Sequence, residues 1–307
     1  MRACAPGKLV LSGAYSVLEG APAIVTAVDR YVYADSSRPA RIVTPEVRAA
    51  LPDAEAPDFE ASALRDDGRK LGLGSSAAIL VASLAAADAR HFGTEQELRQ
   101  SVFAGALTAH RQAQGGGSGV DVAASTWGGT LIAARSPTGG LQLEAAELPS
   151  GLVVEAWASQ ISASTPELLA AVARWRAHSP SEYAELMGAL GSAAARAAAA
   201  LRSGQVLELI AELARQRVGF SALGRAAGVA IVTPEVEQLA LATGPCAAAV
   251  LPSGAGGGDI VLWISDRASP RGFRELAATL GHRPLSLSLH ARGVHRCLPE
   301  STLHRGS

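Results

Sequence analysis

Three glycine-rich segments and one lysine carry the chemistry legible in this 307-residue chain. Residues 72–78, GLGSSAA, place two glycines and two serines directly before a run that is apolar almost all round, SSAAILVASLAAADARH. Glycines let the backbone approach an oxyanion, the first N–H groups of a helix lack intrahelical partners, and the helix dipole favours negative charge there. The pattern therefore describes a phosphate site at a helix N-terminus. It is not a Walker A loop, because no Gly-Lys-Ser/Thr closes it. It also fits the loose G-x-G-x-x-A dinucleotide pattern. An NAD-binding oxidoreductase would then need a strand before Gly72 and an acidic ribose ligand about 20 residues on, near Glu95, yet the preceding DDGRK is a poor strand.

The second segment, PSGAGGGD at 252–259, lies between two strand candidates. Its glycines cost folding entropy that a plain hairpin would not require, which points to a backbone nest facing phosphate or substrate. The third, GGGSGVDVAAS at 115–125, delivers Asp121 to the start of a short helix, where a helix cap is the bland alternative. The lysine is Lys8. Of 27 basic residues only Lys8 and Lys70 are lysines, so a lysine that persists among arginines suits a place where a compact ammonium fits and a planar guanidinium does not.

The elements that must position these residues follow from patterning. Short β-type runs at 8–12, 23–28 and 30–35 open the chain as a sheet; helices follow over 75–91 and 94–112, the second starting with TEQE, a capping-box signature. Strand character returns at 129–134, 141–147 and 152–158. Residues 165–226 read as successive helices broken near Ser179-Pro180 and Ser203-Gly204, and a short helix follows Pro234. Strands at 246–251, 259–264 and 284–290, with a helix near 271–280, close an α+β arrangement. A domain boundary is expected at 148–151, giving domains of 1–150 and 151–307.

Composition excludes other classes. With 27 basic against 28 acidic residues the net charge is −1, so no basic field exists to hold nucleic acid. No apolar stretch reaches the roughly 18 residues of a membrane-spanning helix. Cys4, Cys246 and Cys297 are far apart in sequence and match no metal-ligand spacing, and the N-terminus lacks a leader-like pattern, which together predict a cytoplasmic protein. His110 reads as a satisfied structural histidine rather than a metal ligand.

APGKLVLSG at 5–13, GLGSSAA, GSGVDVAAS and SGAGGGD, in that order across nearly the whole chain, resemble the GHMP kinases. Within that superfamily the AHRQAQG run, SASTPEL at 162–168 and LPSGAGGGD are most similar to the phosphomevalonate kinases. The resemblance implies a two-domain α+β fold, with a left-handed β-α-β unit in the N-terminal domain, a ferredoxin-like C-terminal domain, and ATP and Mg²⁺ in the cleft between them. It implies that Lys8 meets the transferred phosphoryl group and that Asp121 orients or deprotonates the acceptor. Gly72, Leu73, Gly74, Ser75, Ser76 and Ala77 would wrap the ATP phosphates, with Lys70 reaching a phosphate and the Ser76 hydroxyl nearest the metal. Tyr15, Ser118, Gly119, Ser164 and Thr165 would line the pocket of a phosphorylated mevalonate, which Gly256 and Gly257 approach from the second domain. A homodimer is compatible with it.

Leu251 departs from the lysine usual before PSGAGGGD; Arg30 and Arg111 are replacements on position alone, and a solvated surface role is the favoured reading of both. Three readings therefore stay open beside the first: a kinase for mevalonate or a sugar, the NAD enzyme, and a binding module with a decayed site.

Overall fold

The computed structural model describes residues 1–52, 55–66, 68–88, 93–136, 139–160, 164–243 and 248–297. Strand β1 (Arg2–Ser12) pairs antiparallel along β2 (Ala23–Pro39), which runs unbroken through the two short strands expected there. The register shifts between Pro6 and Gly7: Pro6 faces Tyr31 and Gly7 faces Val28. A bulge of this kind re-aims the side chains that follow it, and the next residue is Lys8. Gly7 is needed because a Cβ there would stand 2.7 Å from Leu64 Cδ2.

Two pieces that patterning did not announce come next, α1 (Pro45–Ala50) and β3 (Pro57–Glu60), the latter on β2. A small hairpin of β4 (Arg65–Asp66) and β5 (Arg69–Lys70) leads into α2 (Ser75–Asp88), which is buried on nearly every side, as its uninterrupted apolar sequence requires. Helix α3 (Glu95–Gln114) starts at a full capping box: Glu97 N donates to Thr94 Oγ1 at 3.2 Å and Thr94 N to Glu97 Oε2 at 3.1 Å. Helix α4 (Val120–Trp127) follows, and β6 (Thr130–Arg135) and β7 (Leu141–Ala146) complete a sheet of order β7-β6-β2-β1, with β6 antiparallel to β2.

The rest of the chain builds a second, fully antiparallel sheet. After β8 (Val153–Ala158) come the helices α5 (Thr165–His178), α6 (Pro180–Arg202), α7 (Val206–Ala227) and α8 (Pro234–Leu241), broken where Ser-Pro and Ser-Gly predict. They are followed by β9 (Ala248–Pro252), β10 (Ile260–Ser265), α9 (Arg271–Thr279) and β11 (Arg283–Leu285). The order β11-β8-β10-β9 is the split β-α-β connectivity of a ferredoxin-like sheet, as expected. Its core includes Phe273 of α9, whose ring lies 4.6 Å from that of Trp263 and 5.6 Å from that of Trp157.

The strand expected at 284–290 stops at Leu285, because the chain crosses back to the first sheet through bridges at Leu289 and Arg292 and ends as β12 (His295–Arg296) on β1. That return brings Cys297 beside Cys4 from the opposite end of the sequence; Cys246 lies outside the described residues. Among the described residues no helix is long and apolar enough to cross a membrane.

The two halves are joined through the buried Gln216 of α7. Its Oε1 accepts from Gly13 N at 2.8 Å and its Nε2 donates to Ser12 Oγ at 2.9 Å, tying α7 to the end of β1. Removing the amide strands a buried backbone donor. Gln216→Ala is expected to lower unfolding free energy by about 1–3 kcal/mol, read as a shift in denaturant midpoint, and an unchanged midpoint would refute the clamp.

Candidate active site

Lys8 leaves β1 pointing into the space between the glycine segments. Only 8% exposed, it is held from both sides: its own N–H donates to Leu73 O at 2.9 Å and its Nζ to Gly72 O at 3.1 Å. The lysine stem lies against Gly74, where a Cβ would stand 2.9 Å from Lys8 Cγ and 3.0 Å from Cε. Gly74 also has φ +77, so the position requires glycine on both counts. Gly72 is equally constrained, since a Cβ there would meet Asp259 Cβ at 2.7 Å. Burial pushes the Lys8 ammonium below its ordinary range, while Asp121 and Asp259 pull it back up.

Asp121 stands in the first turn of α4 and accepts from Val122 N at 3.0 Å. On its other side is His110 of α3, whose Nε2 lies 3.4 Å from Asp121 Oδ2. Burial alone would raise the Asp121 carboxyl; His110, Lys8 and the helix N–H overcome it and hold the group far below the carboxylate range. For the 2%-exposed His110 burial lowers and Arg111 also lowers, yet Asp121 and Glu46 leave the imidazole above its ordinary 6.5. Glu46 of α1 is itself buried and accepts from Gln114 Nε2 at 3.2 Å. The outcome is an Asp121 carboxylate set between the Lys8 amine and the His110 imidazole.

Around this pair the cleft divides. A wide part of about 650 Å³ is walled by Lys8, Lys70, Gly72, Gly74, Ser75, Ser76, Asp121, Ser164, Thr165, Gly256 and Asp259. A narrower pocket of about 160 Å³ runs from Lys8 and Asp121 past Tyr15, His110, Ser118 and Thr165. Tyr15 has φ 61, rare for a side chain of this size, and its hydroxyl donates to Ala255 O at 2.6 Å, linking the first loop to the second glycine segment. Burial pushes its phenol up.

Four expected residues stand behind the walls. Leu73 and Ala77 are buried in the core; Gly119 caps α4 at φ +81, where a Cβ would strike Leu107 Cδ1 at 2.2 Å; and Gly257 N donates to Ile231 O at 2.9 Å. Ser162 and Ala163 of SASTPEL lie outside the described residues. Leu251 is core, opposite Leu262, and neither proposed substitute faces the cleft: Arg30 donates to Ala63 O at 3.2 Å and Arg111 to Gly139 O. The cations in the walls, among the described residues, are Lys8, Lys70 and His110.

Glu46, Asp259 and the cleft role of His110 escaped sequence reasoning. Asp259 was visible as the acidic end of its glycine segment, whereas nothing near Glu46 marked it. The NAD reading fails on the fold: before Gly72 stands only the two-residue β5, paired with β4 in a hairpin, and Glu95 is engaged by Arg99 and Arg292 at the far end of α3. A Rossmann site needs a strand of a parallel sheet there, and the described sheet pairings are antiparallel.

With this geometry in place, comparisons are informative. Residues 54–129 match the family described as GHMP kinases N terminal domain. The chain is 27% identical to the phosphomevalonate kinase of Streptomyces sp. (strain CL190), over 94% of this chain and 97% of that one. It is also 27% identical to the mevalonate kinase of Archaeoglobus fulgidus, over 89% and 95%. The fold matches Streptococcus pneumoniae phosphomevalonate kinase in complex with phosphomevalonate and AMPPNP, with TM-score 0.73, 18% identity, and coverage of 94% of this chain and 99% of that one.

The His110–Asp121 pair has a pH signature. A histidine raised in the folded state stabilises fully below its unfolded value near 6.5, and the contribution is lost as pH rises through the higher folded value. Urea midpoints from about pH 6 to about pH 9 should therefore fall for the wild type and fall less for His110→Asn. Equal slopes would exclude the pair. The Asp121 side of the coupling, with its lowered carboxyl, is lost only in acid.

Proposed function

We propose that the chain is a GHMP kinase of the mevalonate kinase family that transfers the γ-phosphoryl group of ATP to the phosphate of 5-phosphomevalonate, giving 5-diphosphomevalonate and ADP. The observation that carries the choice of acceptor is the similarity to phosphomevalonate kinases along nearly the whole chain, and the surroundings of Asp121 agree with it. A carboxylate held far below its usual range is a weak base, poorly suited to taking a proton from an alcohol. A phosphate monoester, with a second pKa near 6, reaches neutral pH largely deprotonated and needs no such base. Asp121 then orients the acceptor and keeps Lys8 charged in place.

The wide part of the cleft suits the donor. Ser75 and Ser76 open α2, so its first N–H groups and the helix dipole face the nucleotide phosphates, while Gly72 and Gly74 keep side chains out of their path. The narrow pocket suits the acceptor, with Tyr15, Ser118, Ser164 and Thr165 as hydroxyl contacts. Lys8, between the two, supplies positive charge where the transferred group passes.

The donors facing the cleft, the Ser76 hydroxyl and the carboxylates of Glu46, Asp121 and Asp259, are all oxygens, the chemistry a magnesium ion accepts. Among the described residues no cluster of three such side chains forms a cage by itself, consistent with an ion that is held in part by substrate phosphates. Bound there with Ser76 and a carboxylate, Mg²⁺ would neutralise phosphate charge.

A second reading, transfer to the hydroxyl of mevalonate, draws support from the relative in Archaeoglobus fulgidus. ADP release measured with Mg-ATP and parallel offers of 5-phosphomevalonate, mevalonate, homoserine and sugars separates the two. Turnover confined to 5-phosphomevalonate is expected; turnover with mevalonate alone would replace the first reading with the second. Lys8→Met is expected to lower kcat by roughly 10²-fold or more. Lys8→Arg should fare nearly as badly, because Gly74 and Gly72 O fit a lysine stem and a point charge; an arginine variant near wild-type activity would contradict that packing.

A further inference from the structure

Cys4 and Cys297 stand away from the cleft, on the outer side of the first sheet. Strand β12 places His295 directly opposite Cys4, and Cys297 N extends the ladder by donating to Arg2 O at 3.2 Å. Residues opposite one another in an antiparallel pair share a face, as do residues two apart on one strand, so Arg2, Cys4, His295 and Cys297 project together. Cys4 Sγ lies 3.2 Å from His295 Nε2, and Cys297, two residues beyond His295, stands diagonally across the strand pair with its thiol next to that of Cys4. His295 Nδ1 is 2.8 Å from Gly293 O, which fixes the proton on that nitrogen and leaves Nε2 able to accept.

The two sulfurs differ in access and charge. Cys4 is 2% exposed, while Cys297 is half-buried and lines an open groove with Arg2, Tyr33 and Asp35. The neighbouring Cys4 thiol and the Arg2 guanidinium lower the Cys297 thiol despite burial and Asp35; the neighbouring Cys297 and burial raise Cys4. A half-buried thiol beside a cation, backed by a buried second thiol, is the arrangement of a reactive cysteine and its resolving partner.

We propose that Cys297 and Cys4 form a peroxide-reactive dithiol that closes to a disulfide stapling β12 to β1. The Cys297 thiolate attacks a hydroperoxide oxygen; the O–O bond breaks, Cys297 becomes a sulfenic acid, and the departing oxygen leaves as water or alcohol after taking a proton. The Cys4 sulfur then attacks the Cys297 sulfur, its proton passing to His295 Nε2 and on to the departing hydroxide. In total two thiols are oxidised by two electrons, and hydrogen peroxide is reduced to two waters. The staple closes a loop over nearly the whole chain, on the strand that carries Lys8.

The test uses the full chain with Cys246→Ser, so that only these two thiols remain. After hydrogen peroxide, alkylation and digestion without reduction, the expected product is one linked pair of peptides from a monomer, lighter by two hydrogens and restored by dithiothreitol, with a raised thermal midpoint. In Cys4→Ser, dimedone should trap a sulfenic acid at Cys297; in Cys297→Ser, Cys4 should stay alkylatable after peroxide. The proposal is overturned if both thiols alkylate after peroxide as fully as before, if the only links formed join separate molecules, or if Cys4 oxidises as fast without Cys297. Neither readout involves phosphoryl transfer, so the result is independent of the acceptor.

Discussion

An ionised aspartate held between a buried lysine and a buried histidine is the constraint around which the molecule is arranged. None of the three could be buried alone, because an isolated charge removed from water costs several kcal/mol and would neutralise instead. Together they are mutually compensating: Asp121 offsets the desolvation of Lys8, and His110 and Lys8 offset that of Asp121. Each comes from a different element, β1, α3 and α4, so the folds of those elements must agree before any one charge is tolerated. The β1 bulge, the left-handed Gly119 and the capping box that anchors α3 are the local devices that bring about the agreement.

A second constraint runs through the glycines. Gly72 lies against Asp259 and Gly74 against the Lys8 stem, while a Cβ on Gly256 would stand 2.1 Å from Ile231 O. Side chains at these places would force apart segments contributed by both sheets. The segments at 72–78 and 252–259 are therefore one packed unit around Lys8, closed by the Tyr15–Ala255 bond, and not two independent loops. This accounts for why Gly119 and Gly257, which motif reasoning assigned to the substrate, serve the backbone: a glycine-rich motif records where space is short as well as where a ligand lies.

Much of this was legible in the sequence. The helix breaks at Ser179-Pro180 and Ser203-Gly204, the Thr94 capping box and the buried α2 follow from local rules, while the meeting of Lys8 with the 72–76 loop was implied only by the family resemblance. What escaped depended on distant contacts. Residues 284–290 carry alternating apolar residues, yet only Arg283–Leu285 pairs in the second sheet, because the remaining chain finds partners on the first. Glu46 sits on a short helix with no motif, and its place beside His110 is set by how α1 packs on α3. The cysteines looked isolated because sequence separation says nothing of strands that pair from opposite ends of a chain.

The placement of Leu251 bears on how charge is supplied to the acceptor. Its side chain belongs to the second sheet's core, and Arg30 and Arg111 are engaged by backbone carbonyls elsewhere, so no guanidinium takes over from a lysine at that point. The basic side chains in the narrow pocket are instead Lys8 and His110, whose imidazole Asp121 and Glu46 raise against burial. A histidine differs from a lysine in one respect that matters here: its pKa stands above the ordinary value only while Asp121 and Glu46 stay ionised beside it. Asp121 thus acts on both basic groups of the pocket, raising the Lys8 amine and the His110 imidazole, and its loss would remove both effects at once.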